Sequence, residues 1–230
     1  MTDFRKRLRA LAVARGCTMP GCTRAVHGIG NLCPSHIRAR QVYGHPLARC
    51  PDRKTLSRYT EAASAYLHEQ REHPGVRAAL QWLDGQIAHG DYRTAQLGGR
   101  SDPRNAHQRA DAFWAQLKHI GSRQVLSVIV GCYARQIDKP ETFLDWEHFG
   151  ATITYLLAHA MPAKITGRRS AGGMAYGDKA RILPPRARMV WLAQCLPLIG
   201  PPARILAKRV LARMTPPPTS EAFADLGGET

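Results

Sequence analysis

The chain has 230 residues, of which 44% are hydrophobic, and it carries a formal net charge of +16. This length fits one large domain or two small ones, and the hydrophobic content excludes wholesale disorder. No apolar run reaches the ~18 residues of a membrane span, and the basic N-terminus lacks the apolar core of a secretory signal. We therefore expect a cytosolic protein with reduced thiols and no membrane partner. The heavy use of Ala and Arg indicates a GC-rich bacterial genome, or an element living in one, so the expected location is the bacterial cytosol or nucleoid.

The first distinctive segment contains three of the six cysteines, in the pattern Cys17-x4-Cys22-x10-Cys33-x2-His36. Two close pairs of soft ligands separated by a loop suit tetrahedral zinc, because each pair can turn backbone amides toward its sulfurs. Pro20 and Gly21 supply a turn inside the first pair, which is typical of a zinc knuckle. The pattern predicts a small treble-clef-like module, here called the zinc module, within residues 1–50.

A helix is predicted after the second pair, with Pro34 near its first position and Gly44 as its stop. His36 lies in the first turn of this helix. Three nearby side chains are alternatives to His36 as the fourth ligand. They are His27, His45 and Cys50.

The run GCTRAVHGIGNLCPSHIRARQVYGHP resembles short C-x4-C…C-x2-H modules of phage and mobile-element proteins, which often adjoin nuclease or other DNA-binding segments. The resemblance covers about 35 N-terminal residues. It implies that Cys17, Cys22, Cys33 and His36 bind zinc and that Arg38 and Arg40 lie on the following helix. It also favours DNA over RNA as the partner. The implied function is that of an accessory or regulatory protein of a phage, plasmid or transposable element.

The segment NLCPSH is also similar to the zinc-knuckle end of HNH nucleases, which need a general-base His upstream and a metal-binding His or Asn on the helix. Here His27 is only four residues before Asn31, too close to lie on a separate strand. We therefore prefer a structural zinc site and assign no catalytic residue. A metal-dependent nuclease, a component of a recombination machine and a helical adaptor that docks a larger protein complex stay as alternatives.

Residues 51–162 predict a helical domain, so that the expected fold class is mainly α. Apolar residues at helical spacing predict one helix that Pro74 and Gly75 close, followed by a second helix to Ile87. Residues 90–105 contain three glycines and a proline and predict a loop. Two further helices are predicted to meet at Gly121, with Ser122 as the N-cap of the second.

These two helices could form a helix-turn-helix. The second one is apolar nearly all round, however, which favours burial in the core. A last helix of this domain is predicted to open at Pro140. We assign the large aromatic residues of the domain to the core rather than to base stacking, namely Trp114, Tyr133 and Trp146.

Residues 163–214 predict a mobile basic loop and two proline-started helices, 185–195 and 202–214, packed on the helical domain. The loop carries Arg168, Arg169, Lys179 and Arg181. Its glycines do not match a phosphate-binding loop, because Asp178 precedes Lys179 and Ala180 replaces the hydroxyl residue. Residues 215–230 predict a disordered acidic tail.

Positive charge is concentrated in two blocks, residues 1–60 and 163–214, each with a net charge of +10. Residues 61–162 carry −1 and the tail carries −3. Such blocks favour a nucleic acid as the partner, because each cation that neutralises a phosphate releases counterions. That this nucleic acid is duplex DNA is implied only by the resemblance to the phage and mobile-element modules. A charge that serves only solubility is the alternative. The candidate nucleic-acid-binding residues are Arg5, Lys6, Arg7, Arg24, Arg38, Arg40, Arg168, Arg169, Lys179 and Arg181.

Overall fold

A computed structural model of the chain describes residues 16–26, 30–96, 105–162, 164–169, 175–178 and 182–214, with backbone only for the two strands. The fold is mainly α, as predicted: a Cys and His cluster precedes a helical body. The helices are α1 (Pro34–Tyr43), α2 (Arg53–Glu69), α3 (Pro74–Gln96), α4 (Ala106–Gln116), α5 (Gly121–Asp138), α6 (Trp146–Ala160) and α7 (Pro185–Met214). The strands are β1 (Lys164–Arg169) and β2 (Ala175–Asp178), and Leu117–His119 and Pro140–Thr142 form 3-10 turns.

Helix α2 begins where the Asp52 carboxylate accepts hydrogen bonds from the backbone N–H groups of Lys54 and Thr55, at 3.1 and 3.4 Å. This cap satisfies two of the donors that a helix start leaves without partners. The apolar stripe predicted for this helix is buried. It consists of Leu56, Tyr59, Ala63, Tyr66 and Leu67.

Helix α3 continues to Gln96, so the loop predicted to start at residue 90 is wrong for residues 90–96. Gly90 is helical and buried, and a Cβ placed on it would lie 2.5 Å from the Cβ of Trp114. The glycine therefore allows α3 and α4 to approach closely instead of ending the helix. An ion pair of 2.7 Å between Asp91 and Lys118 joins α3 to the 3-10 turn that follows α4. Residues 97–104 of the predicted loop lie outside the described residues.

Helix α5 is the central element and packs against α2, α3, α6 and α7. Its segment from Val125 to Ala134 is buried, which confirms the core assignment over a groove-reading helix. Gly131 lets α2 come close, since a Cβ there would lie 2.9 Å from the backbone nitrogen of Thr60. The helix starts at Gly121 with a φ of 76°, and the Ser122 side chain does not cap it, so that detail of the prediction is wrong.

Helix α6 begins later than predicted. Pro140 opens only a 3-10 turn, and α6 starts at Trp146 because the Asp145 carboxylate accepts a hydrogen bond of 2.7 Å from the backbone N–H of His148. Trp114 and Tyr133 are buried as predicted. Trp146 is 47% exposed and stacks on Phe149 at the helix start, so its assignment to the core is wrong.

Helix α7 is continuous from Pro185 to Met214, where two helices were predicted. Pro197, Pro201 and Pro202 each remove a helical hydrogen bond, a loss that ordinarily ends a helix. Here the apolar stripe runs on through both halves, from Ala187 to Val210, and holds them against the same core. Of the described helices, α7 alone is long and apolar enough to span a membrane, but 44% of that stretch is buried inside the protein.

Residues 163–181 were predicted to be a loop, yet β1 and β2 pair there as antiparallel strands. Lys164 lies opposite Asp178 and Arg169 opposite Ala175, with an irregularity of register between them. The glycines that suggested a loop lie in or between the strands. The prediction of a loop is therefore wrong for residues 164–169 and 175–178, whose backbones pair, and the rest of residues 163–181 lies outside the described residues.

Candidate metal site

The first ligand pair lies on a tight turn. Gly21 has a φ of 71°, which favours glycine, and the Cys22 N–H donates to the Met19 carbonyl at 3.0 Å. The Cys17 N–H donates to the Arg24 carbonyl at 3.1 Å, closing a small hairpin around the turn. Cys17 and Cys22 are thereby held on one side of this hairpin.

The second pair lies at the start of α1, as the sequence predicted. Cys33 is the N-cap residue, Pro34 follows it at the first helical position, and His36 is in the first turn. The Thr18 N–H donates to the Asn31 carbonyl at 2.9 Å, and the Cys33 N–H donates to the Cys17 sulfur at 3.3 Å. These bonds bring the helix start against the hairpin.

The four side chains form one cluster, in which the potential ligand atoms of Cys17, Cys22, Cys33 and His36 all lie within 4.8 Å of one another. The Sγ atoms of Cys22 and Cys33 are 4.0 Å apart, and His36 Nδ1 lies 3.1 Å from Cys17 Sγ and 3.4 Å from Cys33 Sγ. Around a tetrahedral ion with metal–sulfur bonds of about 2.3 Å, two sulfurs are roughly 3.8 Å apart. The cluster is therefore compatible with a Cys3His metal site. A disulfide is excluded, since bonded sulfurs lie about 2.05 Å apart.

The local electrostatics favour a metal-binding thiolate at Cys17. Burial alone raises the pKa of this thiol, but the backbone N–H groups of Met19 and Cys33 and the His36 ring more than offset it, and the pKa falls to about 6. At Cys22 the N–H of Arg24 lowers the pKa, whereas desolvation and the thiols of Cys17 and Cys33 raise it, with a net rise. Backbone N–H groups thus face the sulfurs of both Cys17 and Cys22. Once Cys17 is ionised, its negative charge disfavours the ionisation of Cys22 until a cation binds.

The alternative ligands are not in this cluster. His45 Nδ1 accepts a hydrogen bond of 3.1 Å from the Leu47 N–H, and the Cys50 sulfur lies 3.2 Å from the Tyr155 hydroxyl. His27 lies outside the described residues. Among the residues that the structure describes, the four predicted ligands are the group of His, Cys, Asp and Glu side chains that could hold a metal ion.

The C-terminal end of α1 is anchored on the helical body by a residue that the sequence did not single out. Arg188, on α7, is 2% exposed and donates to the carbonyls of Gln41 and Val42 at 3.2 and 3.3 Å. These carbonyls belong to the last turn of a helix, where they have no helical partner. At Gly44 the chain passes so close to α6 that a Cβ would lie 2.3 Å from the Glu147 carbonyl oxygen.

Three of the predicted nucleic-acid-binding residues are exposed in the described part of the module: Arg24 on the hairpin, and Arg38 and Arg40 on α1. Arg24 donates to the Ser35 hydroxyl at 2.5 Å, which ties the hairpin to the start of α1. Arg40 lines a shallow recess with Glu147 and Arg186, on the side of α1 that faces the helical body. Arg168 and Arg169 are placed only as backbone on β1, and Arg5, Lys6, Arg7, Lys179 and Arg181 lie outside the described residues.

The fold and site together define a mainly α protein with an N-terminal Cys3His cluster that could hold a metal ion. No known protein family, curated protein or solved structure matches the chain. The similarity to zinc modules of phage and mobile-element proteins therefore stays a prediction from residues 17–46.

Proposed function

We propose that this is a zinc-stabilised nucleic-acid-binding protein of the bacterial cytoplasm, with duplex DNA as the preferred partner and an accessory or regulatory role in a phage, plasmid or transposable element. The observation that carries the proposal is the gathering of three sulfurs and one imidazole nitrogen within 4.8 Å. Three thiolates and one imidazole are a common donor set of structural zinc sites.

The electrostatic part of the proposal rests on the exposed arginines around this cluster. Arg24 and Arg38 are exposed, and three thiolates with one zinc ion remove only one unit from the net +10 of residues 1–60. Cations on a rigid platform lose little conformational freedom when they contact a phosphate backbone. Zinc would thus act through structure, by fixing the hairpin and α1 relative to each other, and the arginines would supply the affinity.

The metal is tested by elemental analysis of purified protein and of single cysteine variants. We expect equimolar zinc in the wild type and its loss in Cys22→Ser and in Cys33→Ser. Cys50→Ser is the matched control, because Cys50 lies outside the cluster, beside Tyr155. Stoichiometric zinc in both ligand variants, or its loss in the control, would contradict the ligand set.

Nucleic-acid binding is tested by salt titration with duplex DNA, RNA of the same length and anionic lipid vesicles. Contact with Z phosphates predicts a log-log slope of about −0.9Z on duplex DNA. Tighter binding to RNA would correct the choice of partner. A salt-independent affinity, or binding to vesicles alone, would contradict the proposal.

A further inference from the structure

A second positively charged surface lies where the zinc module meets the helical body, and it is here called the junction surface. It comprises three exposed residues, Arg49, Cys50 and Arg53, together with the half-buried Tyr43 and the buried Tyr155. They come from α1, from the segment between α1 and α2, from the start of α2 and from α6. The Cys50 sulfur lies 3.2 Å from the Tyr155 hydroxyl, and the rings of Tyr43 and Tyr155 meet edge to face at 6.0 Å between centroids. The connecting segment is thus held on α6 by side chains far apart in sequence.

The polar groups of this surface are hydrogen-bond donors at neutral pH. Desolvation and the Cys50 thiol raise the pKa of Tyr43, while the guanidinium of Arg38 lowers it. The Cys50 thiol and desolvation raise the pKa of Tyr155 to about 12, against the opposing effect of Arg53. Both phenols therefore stay protonated.

The cations of the junction surface outnumber the acid that lies next to them in the described sequence. Arg49 and Arg53 are exposed, as is Arg38 of the zinc module, and within the described part of the chain none of these three forms an ion pair. Asp52 is the acid next to them in sequence. Its carboxylate accepts from the Lys54 and Thr55 N–H groups and from the Thr55 hydroxyl, bonds that lower its pKa, so it stays ionised and offsets one positive charge without pairing with an arginine.

A cavity adjoins the junction surface. Arg49, Cys50 and Asp52 line one side of a cavity of about 300 Å³ between this segment and α6, with Leu144 and His148 on the other side. A phosphodiester strand that follows the cations would pass along the rim of this cavity. Guanidinium groups suit such a strand, because each presents two parallel N–H donors to a phosphate.

We propose that the junction surface binds the phosphodiester backbone of the nucleic acid, with Arg49 and Arg53 as phosphate contacts in addition to Arg38. This inference rests on the proposed function and extends it from the zinc module to the start of α2. The contacts are to phosphates, so they contribute affinity and register rather than base specificity. The bound strand would then cover both the module and the helical body.

The test compares two double variants that remove the same charge from opposite ends of α2. The first is Arg49→Gln with Arg53→Gln. The control is Arg71→Gln with Arg77→Gln, two exposed arginines after the far end of that helix. Both double variants lose two positive charges, so the long-range attraction between protein and DNA falls equally in both. A difference between their salt slopes therefore reports local contacts with phosphates.

We expect the salt slope on duplex DNA to fall by roughly 1.8 in the first variant, about 0.9 for each lost phosphate contact, and to change little in the control. Zinc content and helical circular dichroism should equal those of the wild type in both. A third variant, Arg49→Lys with Arg53→Lys, should keep most of the slope, because the charges remain.

Equal losses in the first variant and the control would overturn this inference and leave the proposed function standing. Wild-type protein that binds no nucleic acid would overturn both. If the double glutamine variant lost its helical signal, the single variants Arg49→Gln and Arg53→Gln would decide: a slope lower by about 0.9 in each supports the contacts, and slopes equal to that of the wild type contradict them.

Discussion

His148 is a buried imidazole that the fold holds in its neutral form. Its ring Nδ1 accepts a hydrogen bond of 3.2 Å from the Leu144 N–H, a role that only an unprotonated nitrogen can fill. Desolvation lowers its pKa below the ordinary value of 6.5, with a further lowering from His45 and an opposing effect of Asp145. The side chain thereby fixes the turn that leads into α6, against which the zinc module is packed.

The depressed pKa of His148 predicts a loss of stability at acidic pH. The contribution is complete above pH 6.5, the unfolded-state value, and is lost as pH falls from there through the lower folded-state pKa. In His148→Asn the amide oxygen can accept from Leu144 without titrating. Between about pH 7.5 and about pH 5.5 the wild type should lose more free energy of unfolding than the variant, by up to about 1.4 kcal/mol per pH unit.

Urea unfolding of both proteins at the two pH values measures this difference. The other titrating groups, including the metal ligands, are common to both proteins and cancel in the comparison. Equal losses would show that the protonation of His148 does not couple to folding.

At the scale of elements, the spacing of apolar residues predicted which segments are helical, and glycine and proline misled the assignment of their ends. A glycine can indicate a loop, or it can lie within a helix where another helix packs closely, as Gly90 does, and the sequence alone does not distinguish the two. Three prolines within six residues ordinarily end a helix, yet α7 continues because Leu196, Ile199 and Ala203 are buried on both sides of them. What decides such cases is the packing partner, which the local sequence does not contain.

The close approach of α3 and α4 predicts opposite effects for two alanine substitutions on the same helix. In Gly90→Ala the new Cβ would meet Trp114 and the backbone of Asp111 and Ala115, at 2.5, 2.8 and 2.9 Å. Two helix backbones must then separate, and overpacking of this kind costs about 1–3 kcal/mol. In Gly85→Ala nothing lies within 4 Å, so the higher helix propensity of alanine should stabilise by up to about 1 kcal/mol.

Thermal and urea unfolding of the two variants and the wild type measure these shifts. The control removes the same glycine flexibility from the same helix, so that only the contact with α4 distinguishes the two positions. A Gly90→Ala protein as stable as Gly85→Ala would mean that α3 and α4 do not lie this close.

For the whole molecule, the gathering of Cys17, Cys22, Cys33 and His36 could be predicted because their spacing and the turn residues between them are local in sequence. Arg188, which anchors α1 from α7, and Tyr155, which holds Cys50 from α6, could not. Their partners lie 146 and 105 residues away in the chain. The charge blocks were likewise visible in the sequence, but which of their arginines share a surface depends on how α1, α2 and α6 pack.

The net charge of +16 predicts that sodium chloride stabilises the free protein. Like charges repel more strongly in the compact state than in the expanded chain, and screening weakens this repulsion. Salt also weakens attractive pairs such as Arg213 with Glu69 and Lys118 with Asp91, but these side chains are about half exposed and such pairs contribute little.

We therefore expect the melting temperature to rise between about 50 mM and about 500 mM sodium chloride, a range over which the Debye length falls about three-fold. Scanning calorimetry of the zinc-saturated protein, free of nucleic acid, measures this rise. Arg49→Gln with Arg53→Gln lowers the charge by two and should show a smaller rise, because part of the repulsion is already removed. A melting temperature that falls with salt would contradict this prediction. It would show that the ion pairs stabilise the free protein more than the repulsion between like charges destabilises it.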